Sequence, residues 1–111
     1  MTQAKPATIT RCTSDTDLKK LGVQPGWFVR FACCSIWQEI THVADGWVQC
    51  VARDPSKGKD VAFVGNHYSA IDVLADGNPG QHERWIDKDR RKSFFDKFHP
   101  EPDNIVRPVA A

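Results

Sequence analysis

Cysteines and histidines are the residues of this 111-residue chain that could bind a metal or act in covalent catalysis. The chain has four of each: Cys12, Cys33, Cys34, Cys50, His42, His67, His82 and His99. Structural zinc sites usually place two cysteines a few residues apart, so that one turn presents both sulfurs. Cys33 and Cys34 are adjacent, and adjacent side chains on a strand point to opposite faces. The spacing predicts no metal site and favours cysteines that fill the core as small hydrophobes.

Nucleophilic catalysis has no local signature in the chain. The Gly-x-Ser-x-Gly turn that exposes a catalytic serine is missing from the sequence, and no active-site pattern surrounds a cysteine. The chain does contain possible nucleophiles (Ser69, Cys12 and Cys50) and possible bases (His42 and His67), but no sequence motif connects them. His42 and Cys50 flank a predicted hairpin and would face each other in only some registers. A small enzyme is therefore the third of three functional hypotheses.

Two carboxylates, Asp72 and Asp76, fall on one face at the end of a predicted strand. Such a pair can do acid–base chemistry when one member lies in an apolar pocket. The Gly- and Pro-rich sequence after Asp76 instead favours solvent-exposed carboxylates and a turn. No Walker motif or Gly-x-Gly-x-x-Gly occurs, so no nucleotide-binding loop is indicated. We predict no catalytic residue and no cofactor.

The most unusual local feature is the segment Arg84–Lys97, which contains six basic residues, three aspartates and three aromatic residues. Its predicted binding residues are Arg84, Trp85, Lys88, Arg90, Arg91 and Lys92. Lys57 and Lys59 are added because they lie in a predicted hairpin loop, and loops on a rigid sheet often carry binding function. Phosphates pair with Arg and Lys while bases stack on aromatic rings, so the segment could bind nucleic acid. Other interpretations are a solvated helix face whose charges pair locally, and a docking site for an acidic protein surface.

The elements that would position these residues are mainly strands. The short run Ala7–Cys12 is β-prone, and five further strands are predicted at 27–34, 36–43, 47–53, 61–65 and 69–75. The Asp45-Gly46 pair predicts a tight hairpin. Sequential strands usually lie side by side, so the predicted topology is a five-stranded antiparallel meander. A small SH3-like barrel is one way for such a sheet to hide its edges. Trp37 and Trp47 straddle the hairpin and are predicted to form a cross-strand pair.

Two helices complete the predicted mainly β, α+β fold. A short N-terminal helix is expected over Thr16–Leu21, capped by Ser14 or Asp15 and ended by Gly22. A C-terminal helix is expected over about Lys88–Phe98, with its phenylalanines towards the sheet. The tail from His99 is expected to be extended, with Ile105 and Val106 against the domain. One domain, 1–111, would thus comprise a β-rich core (7–76), a charged segment (81–98) and a tail (99–111).

Composition sets the functional expectation. The net charge is +1, so recognition by charge must come from a local patch. The first ten residues lack a signal-peptide pattern and no apolar run could span a membrane, which favours a cytoplasmic chain with reduced thiols. We expect a non-enzymatic binding module for a protein partner, of the kind found among small bacterial or phage-encoded regulators and inhibitors. Nucleic-acid binding through residues 84–97 is the alternative, and an exposed sheet edge would permit a homodimer.

Overall fold

A computed structural model describes residues 8–31, 37–52, 61–66, 70–75, 91–101 and 106–109. Its elements, in chain order, are β1 (Thr8–Cys12), α1 (Leu18–Leu21), β2 (Phe28–Phe31), β3 (Gln38–Ala44), β4 (Trp47–Ala52), β5 (Ala62–Gly65), β6 (Ile71–Ala75), β7 (Phe98–Pro100) and β8 (Val106–Pro108). The predicted mainly β class is confirmed. No helix in the described ranges is long and apolar enough to cross a membrane.

Six strands form one antiparallel sheet in the order β1-β6-β2-β3-β4-β5, and β7 pairs with β8 separately. Strands β2 to β5 follow the predicted meander. The fifth strand of that meander is wrongly placed by the prediction, because β6 lies between β1 and β2 rather than beside β5. Four consecutive residues of β6, from Ile71 to Leu74, are buried, as expected of a central strand. The end strands β1 and β5 do not pair in the described part of the chain, so the sheet is open and no SH3-like barrel is observed there.

The hairpin between β3 and β4 turns at Asp45-Gly46, as predicted. Gly46 takes the left-handed conformation, with a φ of 79°, which a residue with a side chain adopts at a cost. Ala44 lies opposite Trp47 at the end of the ladder. The predicted pair of Trp37 and Trp47 is not formed, since Trp37 precedes the other end of β3.

The two faces of the sheet bury different sets of side chains. One face, the helix face, carries a cluster that includes Ile40, Cys50 and Val73, and Leu18 of α1 packs into it. On the opposite face, the C-terminal face, Phe28, Trp37 and Leu74 form a second cluster. Gln49 and Phe63 are register partners on β4 and β5 and alternate with Cys50 and Ala62, so they belong to the C-terminal face.

Helix α1 is a single turn, shorter than the predicted Thr16–Leu21. Asp17 has extended dihedrals and its side chain accepts a hydrogen bond from the backbone N–H of Lys19, so the cap lies after the predicted Ser14 or Asp15. Gly22 ends the turn in the left-handed conformation, with a φ of 84°. Leu18 is the buried residue of this turn, and it connects α1 to the core.

The C-terminal prediction needs a larger correction. Lys88–Arg90 lie outside the described residues and Arg91 has 3₁₀-helical geometry, but from Lys92 to Lys97 the chain forms a bend and a turn and then enters β7 rather than a helix. A helix would use the carbonyl of Lys92 and the amide of Phe94 within its own hydrogen-bond ladder. Both groups instead bond to the side chain of Gln49. The tail is extended as β8, yet Val106 is 43% exposed rather than packed on the domain, and Ile105 lies outside the described residues.

Candidate functional site

Gln49, in the middle of β4, is a fully buried polar residue, with 0% of its surface exposed. Its amide nitrogen donates to the carbonyl oxygen of Lys92 at 2.8 Å and to Thr41 Oγ1 at 2.9 Å. Its Oε1 accepts from the backbone N–H of Phe94 at 2.5 Å. Buried polar groups must be hydrogen-bonded, and this amide meets that need with backbone from 43 to 45 residues further along the chain. We call residues 91–98 the anchored segment.

A β-bulge in β3 brings the side chains of Thr41 and His42 to the side-chain amide of Gln49. The register of β3 and β4 shifts between Ile40 and His42. His42 Nδ1 then lies 3.1 Å from Gln49 Nε2 and 3.1 Å from Thr41 Oγ1. Thr41 and His42 thus both lie against the side-chain amide of Gln49.

Aromatic packing holds the rest of the anchored segment. The ring of Phe95 lies 5.1 Å and that of Phe98 lies 6.2 Å from the ring of Phe63 on β5, centroid to centroid. Phe94 lies 6.5 Å from Phe98. The apolar side of the segment therefore faces the sheet. Its exposed residues are Arg91, Lys92, Ser93, Asp96 and Lys97.

An open cleft of about 240 Å³ lies between β3 and the start of the anchored segment. Its lining comprises Pro25, Gly26, Glu39, Ile40, Thr41, His42 and Arg91. Glu39 is 2% exposed, and its Oε2 lies 3.8 Å from Arg91 Nη2. That separation is an ion pair longer than a hydrogen bond. The cleft combines a buried carboxylate, a guanidinium and an imidazole on one small surface.

A second polar cluster crosses β1, β6 and β2. Asp72 is 3% exposed and accepts from Arg11 on one side and from Arg30 Nε, at 3.1 Å, on the other. The Arg30 guanidinium also stacks 4.3 Å above the ring of Trp37. The hydrogen bond from Arg11 lowers the pKa of Asp72, against the opposing effect of burial, with a further contribution from Arg30. The expectation of a solvent-exposed Asp72 is wrong, and Asp76 lies outside the described residues.

The cysteines seen in the structure are core residues. Cys12 and Cys50 are both buried and unbonded to each other. Cys50 Sγ contacts Gln38 Oε1 at 3.4 Å, and burial raises the pKa of this thiol to about 12. His42 pairs with Gln49 in the ladder, while Cys50 pairs with Ile40 on the other face, so the conceivable Cys50–His42 pair is not formed. Within the described ranges, no group of three or more potential metal ligands comes together.

Two of the predicted binding residues, Arg91 and Lys92, lie in the described structure, and both are exposed on the anchored segment. The others, Arg84, Trp85, Lys88, Arg90, Lys57 and Lys59, lie outside the described residues. Sequence reasoning missed Gln49 and Glu39 as site residues. For Gln49 the available signal was a single amide within the otherwise apolar strand β4, which predicts a buried polar group with specific partners. Glu39 has no such signal, because β3 also contains Gln38, Thr41 and His42.

Comparison with known proteins adds no assignment: no family model, curated protein or solved structure matches the chain.

Proposed function

We propose that this chain is a non-enzymatic binding domain that docks an acidic surface of a protein partner on the exposed side of the anchored segment. The observation that carries the proposal is a pair of hydrogen bonds: the Gln49 side chain donates to the carbonyl of Lys92 and accepts from the backbone N–H of Phe94. These two bonds fix the backbone of the segment at Lys92 and Phe94, and Lys92 is an exposed residue. Fixed backbone costs less ordering entropy on binding than a mobile loop does.

The phenylalanine rings of the anchored segment pack towards the sheet, which supports a protein partner over a single-stranded nucleic acid. Proteins that bind single strands stack bases on accessible aromatic faces. Phe94, Phe95 and Phe98 are partly buried, and the last two pack on Phe63. The described surface of the segment thus offers cations without a stacking platform. Nucleic-acid binding by residues 84–97 is the second candidate, supported by the exposed Arg91, Lys92 and Lys97.

The test is an affinity capture of the tagged full chain from its native cell extract, with and without nuclease, read by mass spectrometry. The double variant Lys92→Glu/Lys97→Glu reverses charge on the anchored segment. Lys20→Glu is the matched control, because Lys20 is an exposed lysine on α1, which packs on the other face of the sheet.

A protein that survives nuclease, binds Lys20→Glu and is lost from the double variant would support the proposal. Retention of that partner by the double variant would contradict it. Partners that vanish with nuclease would favour the nucleic-acid candidate. That candidate also requires affinity for a purified oligonucleotide to fall steeply with salt, since neutralised phosphates release counterions.

A further inference from the structure

Two arginines share one buried aspartate on the C-terminal face of the sheet. Asp72 of β6 lies on this face because it is two residues from Leu74, and its register partners are Arg11 of β1 and Arg30 of β2. Each guanidinium directs its Nε–H at the carboxylate, Arg11 at Oδ1 and Arg30 at Oδ2. The single negative charge of Asp72 balances only one of the two positive charges.

Both guanidinium groups remain accessible to solvent. The side chain of Arg11 is 60% exposed and that of Arg30 is 29% exposed, whereas that of Asp72 is 4% exposed. Among the residues that the structure describes, Arg11 Nη1 and the two terminal nitrogens of Arg30 have no hydrogen-bond acceptor. A guanidinium carries five N–H donors in a planar fork, so its remaining donors can bind a second carboxylate while the first stays bound.

The contacts with Asp72 also hold the two arginines in fixed orientations. The guanidinium of Arg30 stacks 4.3 Å from the centroid of the Trp37 ring while its Nε–H donates to Asp72. The hydrogen bond from Arg11 lowers the pKa of Asp72, so the carboxylate is ionised at neutral pH and retains both arginines. An ordered side chain loses less rotamer entropy on binding, and arginine is among the residues that contribute most to protein interfaces.

This pair of arginines lies on the face of the sheet that also carries the anchored segment. Arg30 is on β2, and Gln49, which holds the segment, is on β4, two strands away in the sheet order. Neighbouring strands are about 4.8 Å apart, so about 10 Å separates these two strands. A standard protein interface covers about 800 Å² of each partner, or about 30 Å across, and is wide enough to include both places.

We propose that Arg11 and Arg30 form a second contact of the docking surface, at which carboxylate side chains of the acidic protein partner pair with the two guanidinium groups. The inference rests on the proposed docking function and extends it to residues outside the anchored segment. The contact itself requires neither Lys92 nor Lys97.

The first experiment uses the purified, ¹⁵N-labelled full chain at low salt and a defined acidic probe, hexaglutamate with both ends blocked. The Nε–H groups of Arg11 and Arg30 give NMR signals of their own and report a contact directly. We expect hexaglutamate to shift both signals saturably at millimolar concentration, and added salt to weaken the binding. Hexaglutamine with the same blocked ends is the matched control and should leave both signals unchanged. Equal shifts with hexaglutamine, or no saturable shift with hexaglutamate, would overturn the proposal.

The second experiment separates binding by Arg11 from a purely structural role beside Asp72. Arg11→Gln should weaken hexaglutamate binding, read at the Nε–H signal of Arg30, at least roughly threefold. Arg107→Gln on the exposed strand β8 is the control and should keep the wild-type affinity. Unchanged affinity in Arg11→Gln would leave Arg11 only its structural role. If the spectrum of Arg11→Gln shows a disturbed fold, the titration of the wild-type chain decides alone.

The same titration distinguishes failure of this inference from failure of the proposed function. Shifts of the Lys92 and Lys97 amides report on the anchored segment, and shifts of the Arg11 and Arg30 Nε–H signals report on the second contact. Movement of the lysine amides alone would leave the proposed function intact and reject the second contact. Movement of the arginine signals alone would support the arginine contact and contradict docking on the anchored segment.

Discussion

Asp72 is a buried carboxylate that stands between two arginines on neighbouring strands. The hydrogen bond from Arg11 is the largest influence on its pKa, which lies below the ordinary value of 3.8. A carboxylate with a lowered pKa in the folded state stabilises the protein above its unfolded pKa. That contribution is lost as the pH falls from about 3.8 through the folded pKa.

Asp72→Asn should therefore lower the free energy of unfolding at neutral pH by about 3 kcal/mol, because Arg30 loses its charged partner in a partly buried position. The variant should also lose less stability than wild type on acidification below about pH 4. Urea unfolding followed by tryptophan fluorescence at several pH values measures both effects. Asp45→Asn is the control, since the side chain of Asp45 is 91% exposed and its change should be within about 0.5 kcal/mol. Parallel pH profiles for wild type and Asp72→Asn would contradict this account.

Cys50 shows the opposite shift. Burial raises the pKa of its thiol to about 12, so the thiolate that alkylating reagents require is scarce at neutral pH. We expect iodoacetamide at about pH 8 to leave Cys50 unmodified in the native protein and to modify it rapidly in urea. Peptide mapping by mass spectrometry reads this cysteine separately from the others. Rapid native labelling of Cys50 would show that the sheet opens around it.

At the scale of elements, one side chain joins the C-terminal segment to the sheet. Gln49→Leu should leave the carbonyl of Lys92 and the amide of Phe94 without their partner, at a cost of about 1–3 kcal/mol in unfolding free energy. Hydrogen exchange at the Phe94 amide should accelerate by more than the change in global stability explains. Gln24→Leu is the control, because Gln24 is exposed. Unchanged exchange at Phe94 would mean that its aromatic neighbours hold the segment without Gln49.

Local signals in the sequence predicted where strands lie better than they predicted which strands pair. Alternation and the Asp45-Gly46 turn were enough to predict β3 and β4 to within two residues at each end. Nothing local distinguishes an edge position from the central one that β6 occupies, because pairing with β1 joins residues about 60 apart, as Arg11 and Asp72 show. Similarly, Phe94 and Phe95 were expected towards the sheet on a helix. Instead, the backbone there bonds to the side chain of Gln49. These bonds join residues more than 40 positions apart, so a local stretch of sequence cannot reveal them.

The residues of the candidate site also differ in how far the sequence reveals them. Arg91 and Lys92 stand out in the sequence because surface charge is visible in a local run. Glu39 could be seen as a charged residue on an alternating strand, but its burial depends on what lies across it. Its ion pair with Arg91 spans 52 residues. A cleft between β3 and a segment far along the chain depends on the tertiary fold, so it cannot be predicted from composition or local sequence.

At the scale of the whole molecule, the open sheet has an edge at β1. None of the described residues pairs with the outer side of this strand, and Ile9 on it is 54% exposed. Unpaired edges with apolar side chains invite pairing with a second chain. We therefore expect reversible self-association at high protein concentration, measured by sedimentation velocity across a dilution series.

Ile9→Lys should weaken that association, because a charge on an edge strand opposes pairing with another copy. Val106→Lys is the matched control: Val106 lies on β8 and is 43% exposed, so this substitution introduces the same charge on a different strand. Association that weakens in Ile9→Lys and persists in Val106→Lys places the contact at β1. Equal weakening in both variants would point instead to general charge repulsion. A wild-type chain that stays monomeric throughout the series would contradict the expected self-association at this edge.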